Sequence, residues 1–158
     1  MKISRRKFFA KTLQTFALIS IPTVLGSFLE SCKNTVIGPT ADQIMPTISG
    51  SYAGGNVTVA VDSSSPLSKT GTAALVNFSG GSVLVDHPSA NVYNALSSIC
   101  THQSCQITGF DTGSGHFICP CHGSMFDVNG KVTQGPASYP LNKYQTYVSG
   151  NQLTIKIS

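Results

Sequence analysis

Two short clusters constrain this chain more than any other feature: Cys100-Thr101-His102-Gln103-Ser104-Cys105 and Cys119-Pro120-Cys121-His122-Gly123-Ser124. As ligand spacing they read C-x-H, an interval of 16 residues, then C-x-x-H, with one further cysteine inside each cluster. Thiolates and imidazoles gathered in two loops are the donor set of a transition-metal centre, and a chain that must close both loops on one site has few folds open to it. Tetrahedral zinc accepts two cysteines and two histidines, but a structural zinc module leaves Cys105 and Cys121 without a part.

Around these boxes the chain reads as short β-strands between turn residues, with no amphipathic helix of convincing length. Asn56 to Val61 alternates with period two. Ala73 to Phe78 and Ser82 to Val85 flank Ser79-Gly80-Gly81 as a hairpin, and Tyr144 to Val148 with Leu153 to Ile157 form another around Ser149-Gly150-Asn151. Asn129-Gly130, between Met125-Phe126 and Val132-Thr133, is a tight-turn signal because both residues tolerate positive φ. The pattern predicts an all-β domain over residues 56–158 with the metal boxes on loops.

The two boxes resemble those of Rieske [2Fe-2S] proteins over roughly residues 95–145. The resemblance implies a Rieske-type antiparallel β-sheet domain with a small cluster-binding subdomain of two loops. It also implies one [2Fe-2S] cluster, with Cys100 and Cys119 on one iron and His102 and His122 on the other. Neutral imidazoles leave such a cluster less negative than four thiolates do, hence potentials of roughly −150 to +300 mV against about −400 mV for plant-type ferredoxins. Cys105 and Cys121 match the disulfide that joins the two loops in the high-potential branch, a pair that oxygenase-linked ferredoxins lack; two free buried thiols are the plain alternative.

The same resemblance assigns roles around the cluster. Ser124 matches a serine whose hydroxyl donates to a bridging sulfide, and Phe126 stands where respiratory members carry a tyrosine that reaches a ligand cysteine. Gly135-Pro136-Ala137, followed by Tyr139-Pro140-Leu141, resembles the proline loop that covers the cluster. Gln103 departs from the leucine of the C-T-H-L-G-C form, which suits a wetter docking contact. The other histidines, His87 before Pro88 in a turn and His116 ahead of the second box, lie off ligand spacing and are assigned no role. No catalytic triad or carboxylate pair stands out.

The formal charge of +4 is confined to one end: Lys2, Arg5, Arg6, Lys7 and Lys11 against Glu30 account for all of it, and five Lys face five Asp from Cys32 onward. Nucleic acid is excluded as a partner, because phosphate neutralisation needs clustered cations on the folded domain. Ser4-Arg5-Arg6-Lys7-Phe8-Phe9 resembles a twin-arginine export signal, ahead of an apolar stretch from Leu13 to Leu29; a Sec signal with two incidental arginines is the alternative. Five cysteines, less two iron ligands and a disulfide pair, leave Cys32 unpaired. Leu29-Glu30-Ser31-Cys32 resembles a lipoprotein signal, which makes Cys32 the lipidation site; the rival is an uncleaved membrane anchor, short for a span and interrupted by Pro22 and Gly26.

The organisation expected is therefore a signal or anchor over 1–32, the cluster domain over 56–158, and between them a polar segment over 33–55 whose Gly38-Pro39, Pro46 and Gly50 argue for a linker or a loosely packed first segment. As a flexible linker it would have an r.m.s. span of ~25 Å, shortened if Ile44-Met45 docks on the domain. The function expected is one-electron transfer by a membrane-tethered, exported protein on the periplasmic side of a bacterial inner membrane. Its partners would be a cytochrome b, quinol and a c-type haem protein in a bc-type complex, or a molybdopterin subunit in an arsenite-oxidase-type enzyme.

Overall fold

The computed structural model describes residues 38–158, so the export signal and Cys32 lie outside the described residues. Among the described residues twelve strands make two sheets. β1 (Thr47–Ser49), β2 (Ser51–Ala53), β3 (Asn56–Ala60), β4 (Thr72–Phe78), β5 (Gly81–Ser89), β6 (Val92–Ser97), β11 (Lys143–Ser149) and β12 (Gln152–Lys156) form an eight-stranded sheet in the order β1-β4-β5-β6-β11-β12-β3-β2. β7 (Gly109–Asp111), β8 (His116–Ile118), β9 (Met125–Asp127) and β10 (Val132–Gln134) form a four-stranded sheet in the order β10-β9-β8-β7.

The central strands are covered on both faces, which is why Ala73-Ala74-Leu75-Val76 and Val83-Leu84-Val85 are unbroken apolar runs. Ala74, Val76, Val83 and Val85 pack against Val57, Val59, Leu153 and Ile155 from β3 and β12. The opposite face, with Ala73, Leu75, Leu84 and Leu96, packs against Phe110, Phe117 and Phe126 of the small sheet and against Cys100 and Cys119. The metal boxes are thus rooted in a core of their own.

Three expectations need correction. The linker over 33–55 does not extend that far: β1 pairs with β4, Thr47 opposite Leu75, and β2 pairs with β3. These three-residue strands carry too little periodicity to announce themselves, and it is the exposed edges of β4 and β3 that recruit them. The β1–β4 pairing is also parallel, the one exception among the described pairs to an antiparallel arrangement. His87, read in a turn, sits inside β5, buried and stacked on Tyr93 with ring centroids 4.2 Å apart. Pro88 is tolerated there because the β5–β6 register slips between Asp86 and Ser89, and an irregular site spares the missing amide.

The Asn129-Gly130 turn joins β9 to β10 as expected. Gly130 has φ +84°, and a Cβ there would stand 2.9 Å from the Leu141 carbonyl oxygen and 3.2 Å from Leu96 Cδ2. Glycine is required twice over, by backbone conformation and by the close approach of the chain.

Candidate metal centre

Box one follows β6 and box two joins β8 to β9, and the backbone folds both in the same way. The Cys100 amide donates to the Cys105 carbonyl at 2.8 Å, and the Ser104 amide donates back to the Cys100 carbonyl at 3.0 Å. In box two the Cys119 amide donates to the Ser124 carbonyl at 2.9 Å, and the Gly123 amide to the Cys119 carbonyl at 3.1 Å. Each loop reverses at its fifth residue in the left-handed region, Ser104 at φ +56° and Gly123 at φ +72°. Glycine takes that conformation freely, whereas serine takes it at a cost.

This shared fold buries the first cysteine of each box and lifts the histidine outward. Cys100 and Cys119 are free thiols, each about 2 % exposed or less. His122 is exposed and His102 half-buried, with their Nδ1 atoms 3.3 Å apart and rings nearly perpendicular. Cys105 and Cys121 form a disulfide across the two boxes. The sulfurs of Cys105, Cys119 and Cys121 all lie within 4.8 Å of one another, but the disulfide consumes two of them. Among the described residues, the thiols left to ligate are those of Cys100 and Cys119.

Burial pushes the Cys119 thiol above its ordinary value, and the adjoining Cys100 sulfur adds to the rise, against the Cys121 and His122 amides that lower it. Burial favours the neutral thiol at Cys119, so it is a bound cation, helped by the Cys121 and His122 amides, that would make thiolates of these neighbouring sulfurs. With two imidazole nitrogens converging on the same pair of loops, the residues present fit a Cys₂His₂ iron–sulfur centre.

Phe126 is fully buried in the cluster of side chains that holds Cys100 and Cys119. Ser124 is fully buried too, and its hydroxyl accepts the Ala137 amide at 3.0 Å. Gly135 and Pro136 stay exposed just before that anchor. Two further residues escape sequence reasoning. Gln134 Nε2 donates to the Gly123 carbonyl at 3.0 Å, and Thr101 Oγ1 donates to the Tyr139 carbonyl at 2.6 Å. Together they stitch the proline loop to both boxes; an ordinary Gln and Thr carry no signal of that pairing.

An all-β domain with a small second sheet, two disulfide-joined loops and a Cys₂His₂ donor set defines a class, the iron–sulfur electron-transfer domains. Residues 57–145 match the family model of the Rieske [2Fe-2S] domain. The chain belongs to the Rieske family, whose domains carry one [2Fe-2S] cluster. It is 33% identical over 129 residues to the cytochrome b6-f complex iron-sulfur subunit of Prochlorococcus marinus (strain AS9601), covering 75% of this chain and 71% of that one. Among solved structures it resembles the ferredoxin of carbazole 1,9a-dioxygenase from Nocardioides aromaticivorans IC177, with 25% identity and a TM-score of 0.51, over 64% of this chain and 98% of that chain. The plasma membrane Rieske protein PetC3 from Synechocystis PCC 6803 is 33% identical, with a TM-score of 0.44 over 65% of this chain and 86% of its own.

Proposed function

We propose that this chain is an exported, membrane-tethered one-electron carrier, the iron–sulfur subunit of a quinol-oxidising complex of the bc and b6-f kind. The observation that carries the reading is the meeting of His102 and His122 at the solvent side of two loops whose buried cysteines are free. In it, Cys100, His102, Cys119 and His122 hold the cluster, which when bound supplies a reversible one-electron couple at a potential raised by its neutral imidazoles. With Nδ1 of each ring committed to the site, Nε2 is the nitrogen left to carry a proton or to hydrogen-bond a partner.

The rest of the chain supports those four residues. The Cys105–Cys121 disulfide holds the loops together, and Ser124 and Phe126 set the polarity around the sulfurs. Gly135 and Pro136 belong to the loop that screens the site from water. Residues 1–32 serve as twin-arginine signal and tether, with Cys32 the lipid attachment point or the apolar stretch retained. Among the described residues no helix is long and apolar enough to cross a membrane. The similarity to a b6-f subunit favours a cytochrome b and a c-type haem protein as partners.

A second reading, the small subunit of a periplasmic molybdenum oxidoreductase of the arsenite oxidase type, draws on exposed Gln103 and on Phe126 in the tuning position.

An EPR-monitored redox titration of the full chain at several pH values, with metal analysis, tests the proposal. A Rieske signal with a positive midpoint that falls at alkaline pH supports quinol-level electron and proton transfer through Nε2. A negative, pH-independent midpoint points to a ferredoxin-like carrier, and zinc in place of iron refutes the proposal.

A further inference from the structure

We propose that the segment Gly38–Pro46 is a strap that positions the second ligand loop, with Gly38 and Pro39 as positioning residues and Gly109 as their seat. The inference rests on the ligand reading above, since it is the loop carrying Cys119 and His122 that the strap backs.

Gly38 lies on Pro120, the residue between Cys119 and Cys121. A Cβ at Gly38 would stand 3.0 Å from the Pro120 carbonyl oxygen and 3.2 Å from its Cα, so main chain meets main chain there. Pro39 occupies the space where Gly109 lacks a side chain. A Cβ at Gly109 would overlap Pro39 Cβ, stand 2.8 Å from Pro39 Cγ and 3.1 Å from Ile118 Cβ. Gly109 pairs with Ile118, the residue before Cys119. The strap therefore touches the ligand loop directly at Pro120 and indirectly through β7 and β8.

The far end of the strap is fixed. Ile44 forms a bridge with Gly109, the Met45 amide donates to the Thr108 carbonyl at 2.9 Å, and the Leu75 amide donates to the Pro46 carbonyl at 2.9 Å. Met45 is buried in the same side-chain cluster as Cys100 and Cys119. Between the two ends Gln43 Oε1 accepts the Thr40 amide at 3.0 Å, which stiffens the turn. Box two is thus held on one side by the disulfide to box one and on another by a strap anchored to both sheets.

The full cluster-loaded chain in detergent micelles provides the test, as parent, Gly109→Ala, and Gly109→Ala combined with Pro39→Gly. Two readouts are taken: the rate at which tris(2-carboxyethyl)phosphine reduces the Cys105–Cys121 disulfide, and the EPR g-values with their midpoint. Gly109→Ala should push the strap off its seat, accelerate disulfide reduction about fivefold through easier local opening, and shift the g-values. Removing the Pro39 ring in the double variant should restore most of both. Unchanged rates and spectra in Gly109→Ala, or no recovery in the double variant, overturn the proposal. Should Gly109→Ala fail to fold, Gly38→Leu acts on Pro120 from outside the sheet, and the same pair of readouts decides. A parent lacking a Rieske signal would sink the ligand reading, whereas the disulfide rates would still report on the strap.

Discussion

The Ala137 amide donates to the Ser124 hydroxyl at 3.0 Å, with both residues buried. The bond occupies a lone pair of the oxygen and sews the proline loop to box two, leaving the hydroxyl proton free for the sulfide contact that the proposed role assigns to it. Ser124→Ala should orphan a buried N–H and cost about 1–3 kcal/mol. It should also lower the midpoint potential, because a hydrogen bond favouring the more negative reduced state is lost. Denaturant melts of the disulfide-intact chain and an EPR titration check the two effects separately.

Ser104 occupies the left-handed region at φ +56°, and its counterpart in box two, Gly123, does so without a side chain. Ser104→Gly should relieve steric strain of about 1–2 kcal/mol, partly offset by the freer unfolded chain, for a net gain of ~0.5–1 kcal/mol. Gly123→Ala should move stability the other way. A shift of the urea midpoint with constant slope is the measurement; a loss of stability in Ser104→Gly would refute the account.

Asp86 lies on the face of β5 toward the small sheet, and burial raises its carboxyl to about 6, against a hydrogen bond from Asn94 and the attraction of Lys143. One carboxylate oxygen, Oδ1, has no partner. The folded state therefore holds a proton that the unfolded chain releases near pH 4, so the contribution of Asp86 to stability is greatest below that pH and falls as pH rises through about 6. The cost at neutral pH is of order 2–3 kcal/mol. Asp86→Asn keeps an acceptor for Asn94 Nδ2, and should raise stability at pH 7 while flattening its dependence between about pH 4 and 6.

The boxes were legible because metal chemistry admits few residue types, and the β4–β5 and β11–β12 hairpins because their strands are long and their turns carry glycine. Much of the rest depends on partners far along the chain. Thr47–Ser49 becomes a strand only against β4, and Gly38-Pro39, which reads as a breaker, is instead a close fit to Pro120 and Gly109. β7 and β8 are three residues each, too short for period-two patterning to register. Gln134 and Thr101 reach the site through side-chain bonds to carbonyls that no local pattern encodes.

Phe126 is fully buried beside the two free cysteines and brings no hydroxyl to them. A donor there would favour the reduced cluster, since charge on the sulfurs rises when an electron arrives. One hydrogen bond to a charged group is worth ~1.5–3 kcal/mol, and a one-electron couple moves about 59 mV per 1.4 kcal/mol. Phe126→Tyr should therefore raise the midpoint by roughly 60–130 mV. The hydroxyl enters a packed core, so stability should fall by about 1–3 kcal/mol in the cluster-free chain, and by less once the cluster supplies an acceptor. Titration of parent and variant under one set of conditions reads the first effect, and melts with and without cluster read the second. A midpoint that stays put while the melt difference persists would mean that the hydroxyl points away from the sulfurs, and Phe126 would then be core packing alone.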